Sequence, residues 1–314
     1  MTGLRHATTG LRMLLGSTTA AVDDLTAVDD RVRTPLPLSR RIGLVAVSGG
    51  AGLTCVVSSV LGLLGARRPG PILAVDAAGG HGGLARHLGL EDRAEASGTD
   101  HEARRTARSS AEASQGLPAF GPHGHLLDLG DLPERTAPIR PPATVGQWRE
   151  QVAPISRFSD LVLTDWGVRP LAEDLGHVAT TGHVLVIVAR ADRRQAVEAA
   201  RAAAALGDGD TSVRLLLVLV DVGRTASQFM IDPADLPTGG LHRIPYDPAF
   251  GATARSARRR LAHPTRRALL NLSAAFVAAS ASSGGPGHPA TTHSGRAGKA
   301  PTDHRMTRPE EDWS

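Results

Sequence analysis

Short apolar runs recur along the chain at residues 42–47, 72–76, 125–129, 160–165, 183–188 and 213–220, with a shorter one at 241–244. Between several of them lie segments whose apolar residues repeat at the helical period, notably 53–66, 145–153 and 192–206. Continuous apolar strands alternating with helices predict parallel pairing through βαβ crossovers. Such crossovers are right-handed, and a reversal of strand order then places helices on both sheet faces. The expected fold class is therefore α/β: a mostly parallel, doubly wound sheet of about seven strands with helices on both faces. A last core helix is predicted from Thr265 to Ala279, with Leu269, Leu270, Leu272, Phe276 and Val277 on its apolar face.

This pattern occupies residues 38–280. Residues 1–37 read as an appendage. Leu11, Leu14 and Leu15 share one helical face, Val22-Asp23-Asp24-Leu25 opens a charged segment, and Thr34-Pro35-Leu36-Pro37 makes an extended linker. The segment is either a partly ordered tail or a helix that docks on the domain or on a partner. Residues 91–122 are rich in Ala, Ser, Glu and Arg with little period, which reads as a mobile insertion. From 281 to 314 the composition predicts a disordered tail.

Composition sharpens this picture in three places. Apolar residues make up 41% of the 314 and aromatics only 3%, so the core must be Leu, Val and Ala, which suits a parallel sheet. The net charge is +4, and the basic residues are arginines except for Lys299. A charge of that size is no strong nucleic-acid signal. Arg104, Arg105 and Arg108 lack interleaved aromatics for stacking and read as a solvated basic stretch. Cys55 is the single cysteine, which excludes an internal disulfide and suits a reducing, cytoplasmic setting. No cleavable signal segment is evident, and no apolar run reaches the ~18 residues of a membrane span. Arg258, Arg259, Arg260, Arg266 and Arg267 precede or open the last helix. A basic amphipathic helix there would suit the inner membrane surface, and a helix packed on the core is the plainer reading. His123 and His125 form an H-x-H without a third ligand nearby, as ordinary loop histidines do.

The chemistry gathers at strand ends. Val47-Ser48-Gly49-Gly50-Ala51-Gly52-Leu53-Thr54 follows the first apolar run and opens the first helix. That strand–glycine loop–helix arrangement cradles phosphates on backbone N–H groups. Three aspartates also end strands: Asp76 after Ile72–Val75, Asp165 after Asp160–Thr164, and Asp221 after Leu215–Val220. Strand C-termini of an open parallel sheet line one crevice, where ligands bind. Carboxylates there can face Mg²⁺ directly or through water.

These residues resemble the MinD/ParA-type P-loop ATPases. Arg40–Val47 leading into Ser48–Thr54 resembles that family's deviant Walker A motif. Ala74-Val75-Asp76-Ala77 resembles its second-strand aspartate, Phe158–Gly167 its Walker B strand, and Ile244-Pro245-Tyr246-Asp247-Pro248 its late loop near the base. The charged segment ahead of the core resembles the actinobacterial branch linked to type VII secretion. The resemblance implies ATP or ADP with Mg²⁺ as cofactor. Ser48, Gly49, Gly50, Ala51, Gly52, Leu53, Thr54 and Cys55 would hold the phosphates, and Asp221 and Pro245 would flank the base. Thr54, Asp76 and Asp165 would serve the Mg²⁺, with Asp76 the catalytic residue of an active enzyme. It also implies a homodimer closing face to face across nucleotide, and a protein partner in secretion or partitioning machinery.

The chain departs from the motif at its two lysines, whose positions hold Ser48 and Leu53. No lysine occurs in residues 1–298, so no other core lysine can replace either in cis. The family's base-reading asparagine falls near Asp221, a carboxylate that accepts but cannot donate as an amide does. Losing one preorganised donor at a developing charge costs about 10²–10³ in rate, and here two cations are missing. The resulting expectation is a degenerate ATPase, with weak or no nucleotide binding and little turnover, acting as a regulator or scaffold. One alternative is an active ATPase with a substitute cation from a partner chain or from Arg190 or Arg224. Another is an NAD-binding Rossmann protein, since Gly50-x-Gly52-x-x-Cys55 partly imitates that fingerprint and Asp76 lies where a ribose-binding acid would.

Overall fold

The computed structural model describes residues 22–36, 39–80, 83–90, 101–129, 141–169, 174–207, 213–224, 236–237, 239–251 and 260–282. Eight strands form one sheet: β1 (Arg40–Ala46), β2 (Ile72–Asp76), β3 (Ala119–Phe120), β4 (Gly124–Asp128), β5 (Leu161–Val168), β6 (Val184–Arg190), β7 (Arg214–Val220) and β8 (Leu241–Ile244). Their spatial order is β3-β4-β2-β5-β1-β6-β7-β8. Every pairing is parallel except the short β3–β4 edge.

The seven apolar runs all became strands. The eighth, β3, is only two residues long, too short for periodicity to register. The dinucleotide-binding alternative expects β2 beside β1. Here β5 lies between them, so that alternative loses its topology.

Alternate residues of each strand feed two cores, because side chains of a strand point to opposite faces. Ile42, Leu44, Leu161 and Leu163 pack against one helical layer. That layer holds a helix over residues 22–33 (α1), α2 (Leu53–Arg67), α3 (Gly83–Leu88) and, later in the chain, the long helix His263–Ser282. Val45, Val75, Leu185 and Ile187 face the other layer. Its helices are α4 (His101–Arg105), α5 (Ser110–Ser114), α6 (Val145–Gln151), α7 (Ala153–Ser156), α8 (Asp174–Ala179) and α9 (Arg193–Gly207). The helix His263–Ser282 is α10.

Three sequence expectations change in detail. The helix expected at 145–153 is two: Pro154 cannot donate a backbone hydrogen bond, and the chain turns at Val152. Part of the stretch read as an insertion is ordered, since α4, α5 and β3 fall within 101–120. Their short lengths hid the helical period. The segment before the core docks on it. Val28 and Val32 are buried in the first core, on the order of 1.5–3 kcal/mol each. The buried Arg68 guanidinium donates to the carbonyls of Val32 (2.7 Å) and Thr34 (2.9 Å). Asp29 bridges Arg33 and Arg67, and Asp24 pairs with Arg267.

The apolar face of α10 is covered by the same core, with Leu269, Leu272, Phe276 and Val277 buried. It is therefore not presented to a membrane surface. Among the described residues no helix is long and apolar enough to cross a membrane. The expected face at Leu11, Leu14 and Leu15, residues 91–100, Arg258, Arg259 and the tail from 283 lie outside the described residues.

Candidate functional site

The glycine loop leaves β1 at the carboxyl edge of the sheet and turns directly into α2. Gly52 sits at the helix N-cap with φ 79°, a left-handed conformation that disfavours side-chain-bearing residues. A Cβ there would also stand 3.3 Å from Val220 and 3.8 Å from Phe250. The loop is thus pressed against the end of β7 and the segment after β8. No side chain caps α2, so its leading N–H groups are left for water or an anion.

Thr54, in the first turn of α2, donates its hydroxyl to Asp165 Oδ2 at 2.8 Å. Asp165 Oδ1 accepts from the Gly167 amide at 3.0 Å. Gly167 has φ 68°, and a Cβ would lie 2.9 Å from Ala78, so only glycine lets β5 and the β2 loop meet there. Asp76 is the register partner of Asp165. Its two oxygens accept from the amides of Ala78 and Leu84, each at 3.2 Å.

A third carboxylate extends this row. Asp128 ends β4 as the register partner of Asp76. It follows Leu126 and Leu127 as the other aspartates follow their runs, so the same reasoning applied to the third strand would have found it. Burial first, then the charges of Asp165 and Asp128, push the Asp76 carboxyl up to about 8. Burial raises Asp165 to about 6, opposed by the hydrogen bonds from Thr54 and Gly167 and by the nearby Arg169. Arg169 is itself buried and ties three loops together through the carbonyls of Trp166, Ala77 and Ala143.

The donor set fits Mg²⁺ in part. A hydroxyl and two carboxylates that burial keeps short of charge compensation are hard oxygen ligands. Among the described residues no three His, Cys, Asp or Glu side chains converge as a metal cage. A Mg²⁺ here would complete its shell with water and phosphate oxygens.

The two lysine positions are filled differently. Leu53 is 6% exposed and belongs to the first core. Ser48 donates to Gln195 Oε1 at 2.7 Å, an oxygen that also accepts from the Arg190 amide at 3.3 Å. Gln195 was not singled out in the sequence, because its contact crosses 147 residues.

The remaining candidates spread around this centre. Asp221 lies just past β7, accepting from the Gly223 amide at 3.2 Å. Pro245 follows β8, and buried Asp247 organises that segment through the amides of Ala249 and Ala262. Cys55 points elsewhere: its sulfur is 4.0 Å from His87 Nε2, and burial raises its thiol. Arg224 stacks over Tyr246 at 5.0 Å.

Solved structures are similar to this chain in fold. A ParA family ATPase from Chlorobium tepidum matches with a TM-score of 0.54 at 17% identity, over 75% of this chain and 98% of that one. The MinC:MinD cell division protein complex of Aquifex aeolicus matches at 0.54 and 19%, over 74% and 93%. The septum site-determining protein MinD of Pyrococcus horikoshii, complexed with Mg-ADP, matches at 0.52 and 19%, over 74% and 94%.

The fold is that of the MinD/ParA-type P-loop ATPases.

No protein-family model matches the chain, and no curated protein matches it. At these identities the likeness concerns the fold. The chemistry of the MinD/ParA-like loop must be argued from the residues themselves.

Proposed function

We propose that this chain is a MinD/ParA-like protein whose phosphate loop keeps its shape and has lost its cationic grip. It binds Mg-ATP or Mg-ADP weakly or not at all, hydrolyses little, and works as a regulator or scaffold. The observation that carries this reading is Leu53: a buried aliphatic side chain stands in the core where the motif has its phosphate-holding lysine. The Ser48–Gln195 hydrogen bond supports it, since the second lysine position is engaged within its own chain. The backbone cradle, Thr54, Asp76 and Asp165 are what remains for an anion and its Mg²⁺. Asp76 would become the catalytic residue only if a cation were supplied.

A setting in actinobacterial type VII secretion or in partitioning, at the cytoplasmic face of the membrane and with a protein partner, rests on the motif resemblance. So does a homodimer across nucleotide. The active-ATPase reading has one favouring observation. Arg190 ends β6 beside β1, and its amide is bonded to the same Gln195 oxygen as Ser48.

Calorimetric titration with Mg-ATP and Mg-ADP separates these readings. Affinity tighter than ~100 μM, about 5.5 kcal/mol, makes the chain a nucleotide-gated switch. No heat and no thermal shift make it an interaction module without nucleotide. Steady phosphate release abolished by Asp165→Ala overturns the lost grip in favour of the active enzyme.

A further inference from the structure

Helix α9 opens with two cations at the wrong end. Arg193 and Arg194 occupy its first turn, and no acidic residue lies in that turn. The positive pole of the helix dipole disfavours cations there. Asp192, just ahead, uses Oδ1 to accept from the Gln195 amide. Arg201 stands two turns further along. All three arginines are exposed, and none is paired with a carboxylate among the described residues.

These arginines rim a solvent-open groove of about 980 Å³ along α9; among the described residues its apolar lining is Val197, Ala202 and Ala205 and its one acid is Glu198. The groove asks for a short segment with several carboxylates and one apolar anchor. The chain carries such a segment itself: Glu310-Glu311-Asp312-Trp313.

We propose that Glu310–Trp313 docks in this groove, its carboxylates on Arg193, Arg194 and Arg201 and the Trp313 ring on Val197 and the two alanines. The tether is long enough. Residues 283–309 reach at most about 90 Å when fully extended. Helix layers on opposite faces of one sheet stand roughly 20 Å apart, so a tail leaving α10 can round the sheet edge to reach α9. Tethering holds the segment at an effective concentration of about a millimolar, so modest contacts suffice. Exposed charge pairs are screened by salt, which makes the docking ionic-strength dependent.

Trp148 and Trp166, the other two tryptophans, are buried at 2% and 0% exposure. Acrylamide quenching of the full chain therefore reports on Trp313, an assignment checked with Trp313→Phe. At low salt, Trp313 should be several-fold less quenchable than in the Arg194→Glu/Arg201→Glu variant. The tail variant Glu310→Lys/Glu311→Lys/Asp312→Lys leaves the folded domain untouched and should expose Trp313 equally, as should high salt. Protection must not depend on protein concentration. Equal quenching in all variants, or protection that appears only as concentration rises, overturns the intramolecular docking; the second outcome points to a second copy instead.

Discussion

The Thr54 hydroxyl and the Asp165 carboxylate, 111 residues apart in sequence, meet at 2.8 Å across the carboxyl edge of the sheet. One belongs to the loop that would cradle phosphate, the other to the strand that would serve the metal. Thr54→Val keeps the shape and removes the donor, leaving a buried carboxylate short of one partner. The expected cost is about 1–3 kcal/mol, read as a lower urea midpoint with unchanged m-value. An unchanged midpoint would mean that the contact is not formed in solution.

The strand-end carboxylates make stability pH-dependent in an unusual direction. Asp76 is raised to about 8 and Asp165 to about 6, from 3.8 in an unstructured chain. Between those limits the folded state holds protons that the unfolded state has released. The contribution of these two groups is therefore greatest at the acid end of this window and declines as pH rises from about 4 towards 8, by up to ~1.4 kcal/mol per unit for each group in its own range. Burial lowers His183 to about 4 and also lowers His125 and His242, and these act in the opposite direction below pH 6.5. The measurement is therefore a difference: in urea midpoints from pH 5 to 8 in EDTA, the parent chain should lose stability relative to Asp76→Asn as pH rises. A difference between parent and Asp76→Asn that stays constant over this range would contradict the raised Asp76 carboxyl.

Restoring the missing cation tests the lost grip directly. Leu53→Lys gives up apolar burial, on the order of 1.5–3 kcal/mol, and should lower the melting temperature without nucleotide. Mg-ATP should then recover stability, by about 2.7 kcal/mol at 100-fold over Kd, while the parent chain shows little response. A variant that melts lower and ignores Mg-ATP would mean that the cradle itself is not competent.

Gly167→Ala forces a side chain into a left-handed residue and against Ala78 at 2.9 Å. Backbone strain of this kind costs of order 1–3 kcal/mol, and the contact adds to it. The loss should appear in denaturant unfolding and in any Mg²⁺-dependent stabilisation, because Gly167 also donates to Asp165. A neutral substitution would show that the β5 end is looser than described.

Arg68→Ala removes the two hydrogen bonds that hold Val32 and Thr34. Helix α1 should detach first, with hydrogen exchange at residues 22–33 rising at least ten-fold and α2 retaining most of its protection. Loss of protection across both helices together would instead make α1 an integral part of the cooperative core.

Much of this protein was legible in its residue order, for physical reasons. Strands buried on both faces read as continuous apolar runs, so β1, β2 and β4–β8 were found within a few residues. The phosphate-loop shape was legible because positive φ at Gly52 and an uncapped helix start are local demands that glycine meets locally. The absence of lysine from residues 1–298 was equally plain. Contacts between distant segments were not legible. Ser48 with Gln195, the row of Asp128, Asp76 and Asp165, and the anchoring of α1 by Arg68 depend on which strands become neighbours, and local periodicity carries no information about strand order. The insertion of β5 between β1 and β2 brought Thr54 to Asp165 and turned the separate strand-end aspartates Asp76 and Asp165 into a buried, mutually repelling pair. Only the packed sheet could decide that, because the energy of a carboxylate is set by what lies beside it in space.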